Sequence, residues 1–177
     1  MLRMRLDRIV LAVSLLSASA SVVTGQVLPN PYRQDFKSGG LGPADPWAKL
    51  PAGRTMGAVG DLKMDPDGRH LWAVIRCDAT AVERFGNECL DSDLDPVVKF
   101  APDGTVAESF GGGMFIWPHG IDVDSDGNVW VTDGVGSGNI PAGDKRGHQV
   151  IKFSPHGEVL MTLGTGGEEG GGRNHFT

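Results

Sequence analysis

Basic residues are scarce in this chain of 177 residues: 16 lysines and arginines face 22 aspartates and glutamates, for a formal net charge of −6. Apart from Arg3, Arg5 and Arg8, no cluster of them could track a phosphate backbone, so nucleic acid is not an expected partner. Tyrosine occurs once, at Tyr32, and cysteine twice, at Cys77 and Cys89. The cysteines have neither a CxxC spacing nor a neighbouring histidine, which leaves little for a cysteine metal site. Long apolar runs are also missing. The longest, residues 9–16, is about half of what a membrane span needs. No window beyond it keeps a 3.6-residue period free of glycine and proline, which argues against a helical bundle.

Glycine, by contrast, is plentiful: 27 residues, roughly twice the ordinary share of ~7%. Most lie after residue 103 between short apolar runs, the texture of turn-rich β structure. The basic, apolar and then small-residue order of residues 1–25 reads as an export signal. It implies a secreted or periplasmic location, with membrane attachment only if that segment is retained. A Pro/Gly-rich extension is expected over residues 26–54 and a β domain over 55–177. In an oxidising compartment, Cys77 and Cys89, 12 positions apart, are expected to form a local disulfide.

The chain contains a copy of itself. Residues 97–111, "VVKFAPDGTVAESFG", align with 150–164, "VIKFSPHGEVLMTLG", at a constant offset of 53. The preceding hairpins match as well: Asp65, Asp67, Gly68 and Trp72 correspond to Asp124, Asp126, Gly127 and Trp130. Each unit should hold four strands, two around a D-x-D-G turn and two around a P-x-G turn. A small twisted sheet cannot bury both faces alone, so such units stack radially as propeller blades. The expected fold is all-β, a β-propeller of NHL type. A six-bladed propeller at about 40–45 residues per blade needs around 250 residues. The chain is therefore expected to be a truncated fragment of about two to three blades.

The stretch "WPHGIDVDSDGNVWVTD", residues 117–133, invites a calcium-loop reading through Asp122, Asp124, Asp126, Gly127 and Asp133. Such a loop needs a flanking helix on each side, and Pro118 and Gly120 stand where one of them should be. The sister unit keeps the turn but has Lys63 at the first ligand position. The aspartates are better read as turn-forming residues, with glycine supplying φ > 0. His119, between Pro118 and Gly120 at the entry of an inner strand, is the stronger metal candidate. His70, His156 and His175 read as turn or surface residues, and His148 as the start of a strand.

These motifs carry a resemblance. "F-x-x-P-H-G-I-x-x-D-x-D-G-N-x-W-V-T-D" from Phe115, "H-Q-V-x-K" from His148 and "N-H-F" from Asn174 are similar to the peptidyl-α-hydroxyglycine α-amidating lyases. These form the lyase half of peptidylglycine α-amidating monooxygenase, a six-bladed NHL-type propeller. The resemblance implies zinc-dependent cleavage of peptidyl-α-hydroxyglycine, or a small hydroxylated amide like it, to an amide and glyoxylate. It matches His119 to the first of three zinc-binding histidines, and the carbonyls of Leu62 and Ile121 to ligands of a channel calcium. It matches Arg76 to an active-site arginine, allowing one inserted residue near Arg69 or His70. Zinc on imidazoles is a Lewis acid toward hydroxyl and carboxylate oxygens, and arginine grips a carboxylate bidentately. The family's other two zinc histidines and its tyrosine have no counterparts here, so the chain by itself is expected to be inactive. The rival expectation is a non-catalytic NHL-repeat propeller that binds a ligand or a protein partner.

Overall fold

The computed structural model describes residues 47–77 and 88–176. The expected export signal, the expected extension up to residue 46 and Tyr32 lie outside the described residues. The rest is built from eight strands: β1 (Val59–Met64), β2 (Leu71–Ile75), β3 (Val97–Phe100), β4 (Val106–Phe110), β5 (Pro118–Val123), β6 (Val129–Asp133), β7 (Gln149–Phe153) and β8 (Val159–Leu163). They form two four-stranded antiparallel sheets, β1-β2-β3-β4 and β5-β6-β7-β8, each in chain order. The register repeats along with the sequence: Trp72 lies opposite Lys99 as Trp130 lies opposite Lys152. Both D-x-D-G and both P-x-G turns fall between strands, as the internal copy predicts.

The turns show why the aspartates recur. Asp65 Oδ1 accepts the Asp67 N–H at 3.0 Å, while Oδ2 accepts Trp72 Nε1–H at 2.8 Å and lies 2.6 Å from Lys99 Nζ. Asp124 does the same in the second sheet, with Asp126, Trp130 and Lys152. Gly68 and Gly127 take φ of 68° and 83°, the left-handed conformation that each turn requires. The carboxylates of the supposed calcium loop serve separate partners. Asp122 pairs with Lys63, Asp124 holds its own turn, and Asp133 is buried beneath backbone amides. No helix flanks them.

These turn carboxylates set a pH dependence. Burial raises the pKa values of Asp65 and Asp124. Hydrogen bonds from Lys99 and Trp72, and from Lys152, Asn128 and Trp130, more than reverse this and hold both below the ordinary carboxylate range. A folded pKa below the unfolded value of about 3.9 contributes stability that is present above pH ~4 and lost as pH falls through the folded value. Urea midpoints should therefore hold from pH 7 to 5 and drop below pH ~4. Asp65→Asn and Asp124→Asn should flatten that drop, and an unchanged acid limb in the double variant would contradict the assignment.

The two sheets pack face to face. Trp72, Val74, Val97 and Phe110 of the first meet Val129, Val131, Ile151 and Phe153 of the second, with Phe115 between them. Ring centroids of Phe110 and Phe153 lie 5.1 Å apart. The other face of the first sheet (Ala73, Ile75, Val98, Phe100) is covered by Trp47, Ala48 and Leu50, so residues 47–50 of the predicted extension pack on the β domain. The second sheet's far face, with Trp130, Thr132 and Val150, opens into a hollow of about 530 Å³. The interface thus has the form of two stacked propeller blades.

Candidate active site

The first strands of the two sheets, β1 and β5, lie side by side, and both are irregular where they meet. Register shifts occur between Val59 and Asp61 and between Pro118 and Ile121. Bulges of this kind re-aim side chains near sites. Gly60 permits the approach, since a Cβ there would stand 2.5 Å from the His119 carbonyl oxygen. Asp61 ties the strands together. Its Oδ1 accepts Leu62 N–H at 2.8 Å and its Oδ2 accepts Ile121 N–H at 3.2 Å. Leu62 and Ile121, the two positions matched to calcium-binding carbonyls, are thereby linked through one carboxylate.

His119 stands exposed at the start of β5. Its ring stacks on Trp117 with centroids 4.7 Å apart and planes 9° apart. Arg76 follows β2 directly, and its guanidinium carbon lies 4.4 Å from the centre of the Trp117 ring. One Nη of Arg76 is 3.1 Å from His119 Nδ1, and the other is 3.8 Å from Glu88 Oε1. Arginine can only donate, so Nδ1 is the acceptor in this contact. The fold therefore brings Arg76 and His119 together from strands of different sheets, with Trp117 as a common platform. A cation held over an indole face and facing an exposed imidazole can receive a carboxylate.

The backbone beneath this cluster is set by Asp133, which is 2% exposed. Its carboxylate accepts the N–H groups of Ile116 (2.9 Å), Trp117 (2.8 Å) and Gly147 (3.0 Å). Burial pushes its pKa up, opposed by those three N–H donors and by the charge of Arg146. On the other side, Cys89 N–H donates to Ile116 O at 3.0 Å, and Cys77 and Cys89 form the expected disulfide, with Cα atoms 5.1 Å apart.

Zinc requires about three protein ligands in a catalytic site. Among the described residues no group of three His, Cys, Asp or Glu converges, and the Nδ1 of the single nearby imidazole is already occupied by Arg76. His119 alone does not make a zinc site. His70 is bound within its own turn, His156 is exposed, and His148 is buried immediately before β7. Asp61, Glu88 and Trp117 were not anticipated as site residues, and Asp133 entered only in the calcium-loop reading that the repeat set aside. Glu88 was within reach of sequence reasoning, because the predicted disulfide places the neighbours of Cys77 and Cys89 side by side.

The chain is similar in sequence to known proteins. Residues 115–153 match the NHL repeat. The chain is 31% identical over 112 residues to the peptidylglycine α-amidating monooxygenase of Rattus norvegicus, covering 62% of this chain and 10% of that protein. It is 30% identical over 131 residues to a probable peptidyl-α-hydroxyglycine α-amidating lyase of Caenorhabditis elegans, covering 70% of this chain and 34% of that protein. A third relative, peptidyl-α-hydroxyglycine α-amidating lyase 1 of Drosophila melanogaster, is 37% identical over 73 residues, 40% of this chain and 12% of that protein. The chain thus spans between about a tenth and a third of the length of these relatives. It is an all-β, NHL-repeat propeller fragment similar to the peptidyl-α-hydroxyglycine α-amidating lyases.

Proposed function

We propose that this chain is part of an exported lyase that cleaves a peptidyl-α-hydroxyglycine, or a small hydroxylated amide of the same kind, to an amide and glyoxylate. The observation that carries the reading is the convergence of Arg76, Trp117 and His119 where β1 meets β5. In this reaction the bond between the amide nitrogen and the hydroxylated carbon breaks. The hydroxyl gives up its proton as it becomes an aldehyde, and the departing nitrogen gains one. Arg76 binds the substrate carboxylate, and the Trp117 face beneath the guanidinium fixes where that carboxylate sits, which aligns the bond to be broken. The disulfide supports export, because such bonds persist in oxidising compartments.

Zinc and calcium belong to the proposal. His119 would supply one zinc ligand, and the Leu62 and Ile121 carbonyls would face calcium. The sequence holds four other histidines, His70, His148, His156 and His175, and none joins His119 in a group of three ligands, so the 177 residues alone should be inactive. Glyoxylate release from a peptidyl-α-hydroxyglycine by the complete gene product tests the reading. It should vanish with a chelator and with His119→Ala, and Arg76→Ala should lower kcat/KM by roughly 10²–10³-fold. A metal-replete product that releases no glyoxylate would refute the lyase, and peptide retention without turnover would favour the binding module.

A further inference from the structure

Arg76 is held from a second direction that the proposed reaction does not account for. It immediately precedes Cys77, and Glu88 immediately precedes Cys89. The disulfide therefore sets the guanidinium and the carboxylate beside each other, and both side chains are nearly buried, 11% and 12% exposed. The same bond joins the end of β2 to Cys89, which is hydrogen-bonded to the segment that carries Trp117. Arg76 N–H donates to Ala58 O at 2.9 Å, and Cys89 N–H donates to Ile116 O at 3.0 Å. Three parts of the chain are thus fastened around one guanidinium. Its two ends face Glu88 and His119, and its plane lies over Trp117. A free arginine side chain samples many rotamers, and one carboxylate at an end of the fork restricts that choice.

We infer that Glu88, fixed by the Cys77–Cys89 disulfide, is a positioning residue that holds the Arg76 guanidinium over Trp117 with one end turned to His119. The inference rests on the reading of Arg76 as the carboxylate-binding group only for its consequence in catalysis. The placement itself is independent of any reaction. Glu88 acts through Arg76 and does not touch substrate. Losing it should weaken capture of the substrate carboxylate more than the bond-breaking step.

The Arg76 side-chain N–H resonance, shifted by the Trp117 ring current, reads the placement directly in the 177-residue chain by NMR. Trp117→Phe assigns it. In Glu88→Gln the resonance should move to the position of a solvent-exposed arginine while the β-sheet amide resonances stay in place, and Glu88→Asp should restore part of the shift. The Cys77→Ser/Cys89→Ser pair should reproduce the Glu88→Gln loss. If the pair variant gives no dispersed amide spectrum, the two Glu88 variants decide alone. An Arg76 resonance unmoved in Glu88→Gln overturns the inference, and one retained in a folded cysteine-pair variant overturns the part played by the disulfide. In the complete gene product, Glu88→Gln should raise KM roughly tenfold with kcat little changed, whereas a merely structural role would leave KM alone. If the complete wild-type product releases no glyoxylate, the lyase reading falls and the NMR result still stands on its own.

Discussion

Asp133→Ala should lower the stability of the domain by about 3–5 kcal/mol, a large share of the roughly 5–15 kcal/mol that holds an ordinary domain together. The substitution removes no apolar packing of note. Its cost comes from the N–H groups of Ile116, Trp117 and Gly147, which all donate to this buried carboxylate and lose their acceptor together. Each orphaned buried donor costs about 1–3 kcal/mol. Asp133→Asn keeps the shape but turns an NH₂ group toward at least one donor, so about half the loss should remain. Urea denaturation followed by circular dichroism measures both. The Trp117 backbone is one of the three groups released, so its indole fluorescence should also change in the asparagine variant before global unfolding. A loss under about 1 kcal/mol for the alanine variant would mean that the amides find other partners, and that Asp133 is not the anchor of the site.

The paired tryptophans of the repeat offer a second large effect. Trp72→Ala should cost about 3–5 kcal/mol, whereas Trp130→Ala in the same turn context should cost about 1–2 kcal/mol. Both indoles donate to the first aspartate of their turn, and both lie under a lysine, with Nζ 5.2 Å from the ring centre for Trp72 and 4.8 Å for Trp130. The local motif is therefore the same. What differs is the sheet that lies on top. Trp72 is fully buried against the second sheet and Phe110, at 5.6 Å between centroids, while Trp130 borders the open hollow. Removing Trp72 leaves a cavity that the surrounding rings cannot close. Removing Trp130 mainly gives up partly exposed surface and one hydrogen bond. Guanidinium denaturation of the two variants separates these outcomes, and equal losses would show that turn bonding, not stacking, dominates.

Much of the fold was legible because its signals are local. A D-x-D-G turn is written in four consecutive residues, and its aspartate bonds amides two positions away, so both hairpins lie where the repeat predicts. The alternation of β6 likewise announced which side chains face the core: Val129 and Val131 are buried, and Trp130 is not. The disulfide was legible from spacing and compartment. At the site, Arg76 and His119 came from resemblance, and their contact joins residues 43 positions apart. Asp61 and Trp117 have no local signature as site residues, and Glu88 has only its place beside Cys89. Each matters only because a particular rotamer meets a particular neighbour across strands.

The four-strand unit, its turns, its repetition and the cysteine pair follow from the chain alone, since each depends on backbone preferences and side-chain periods over a few residues. That β1 and β5 adjoin, that Gly60 lets them close, and that Asp61 bridges them emerges from the packing of the two sheets. The packed sheets also show that Asp133, read from the sequence with the turn-forming aspartates, is instead the acceptor of three backbone amides. The physical reason is the same in every case. Hydrogen bonding within a hairpin is settled by neighbours in the chain, whereas the charge, burial and partners of a site side chain are settled by whichever sheet packs against it.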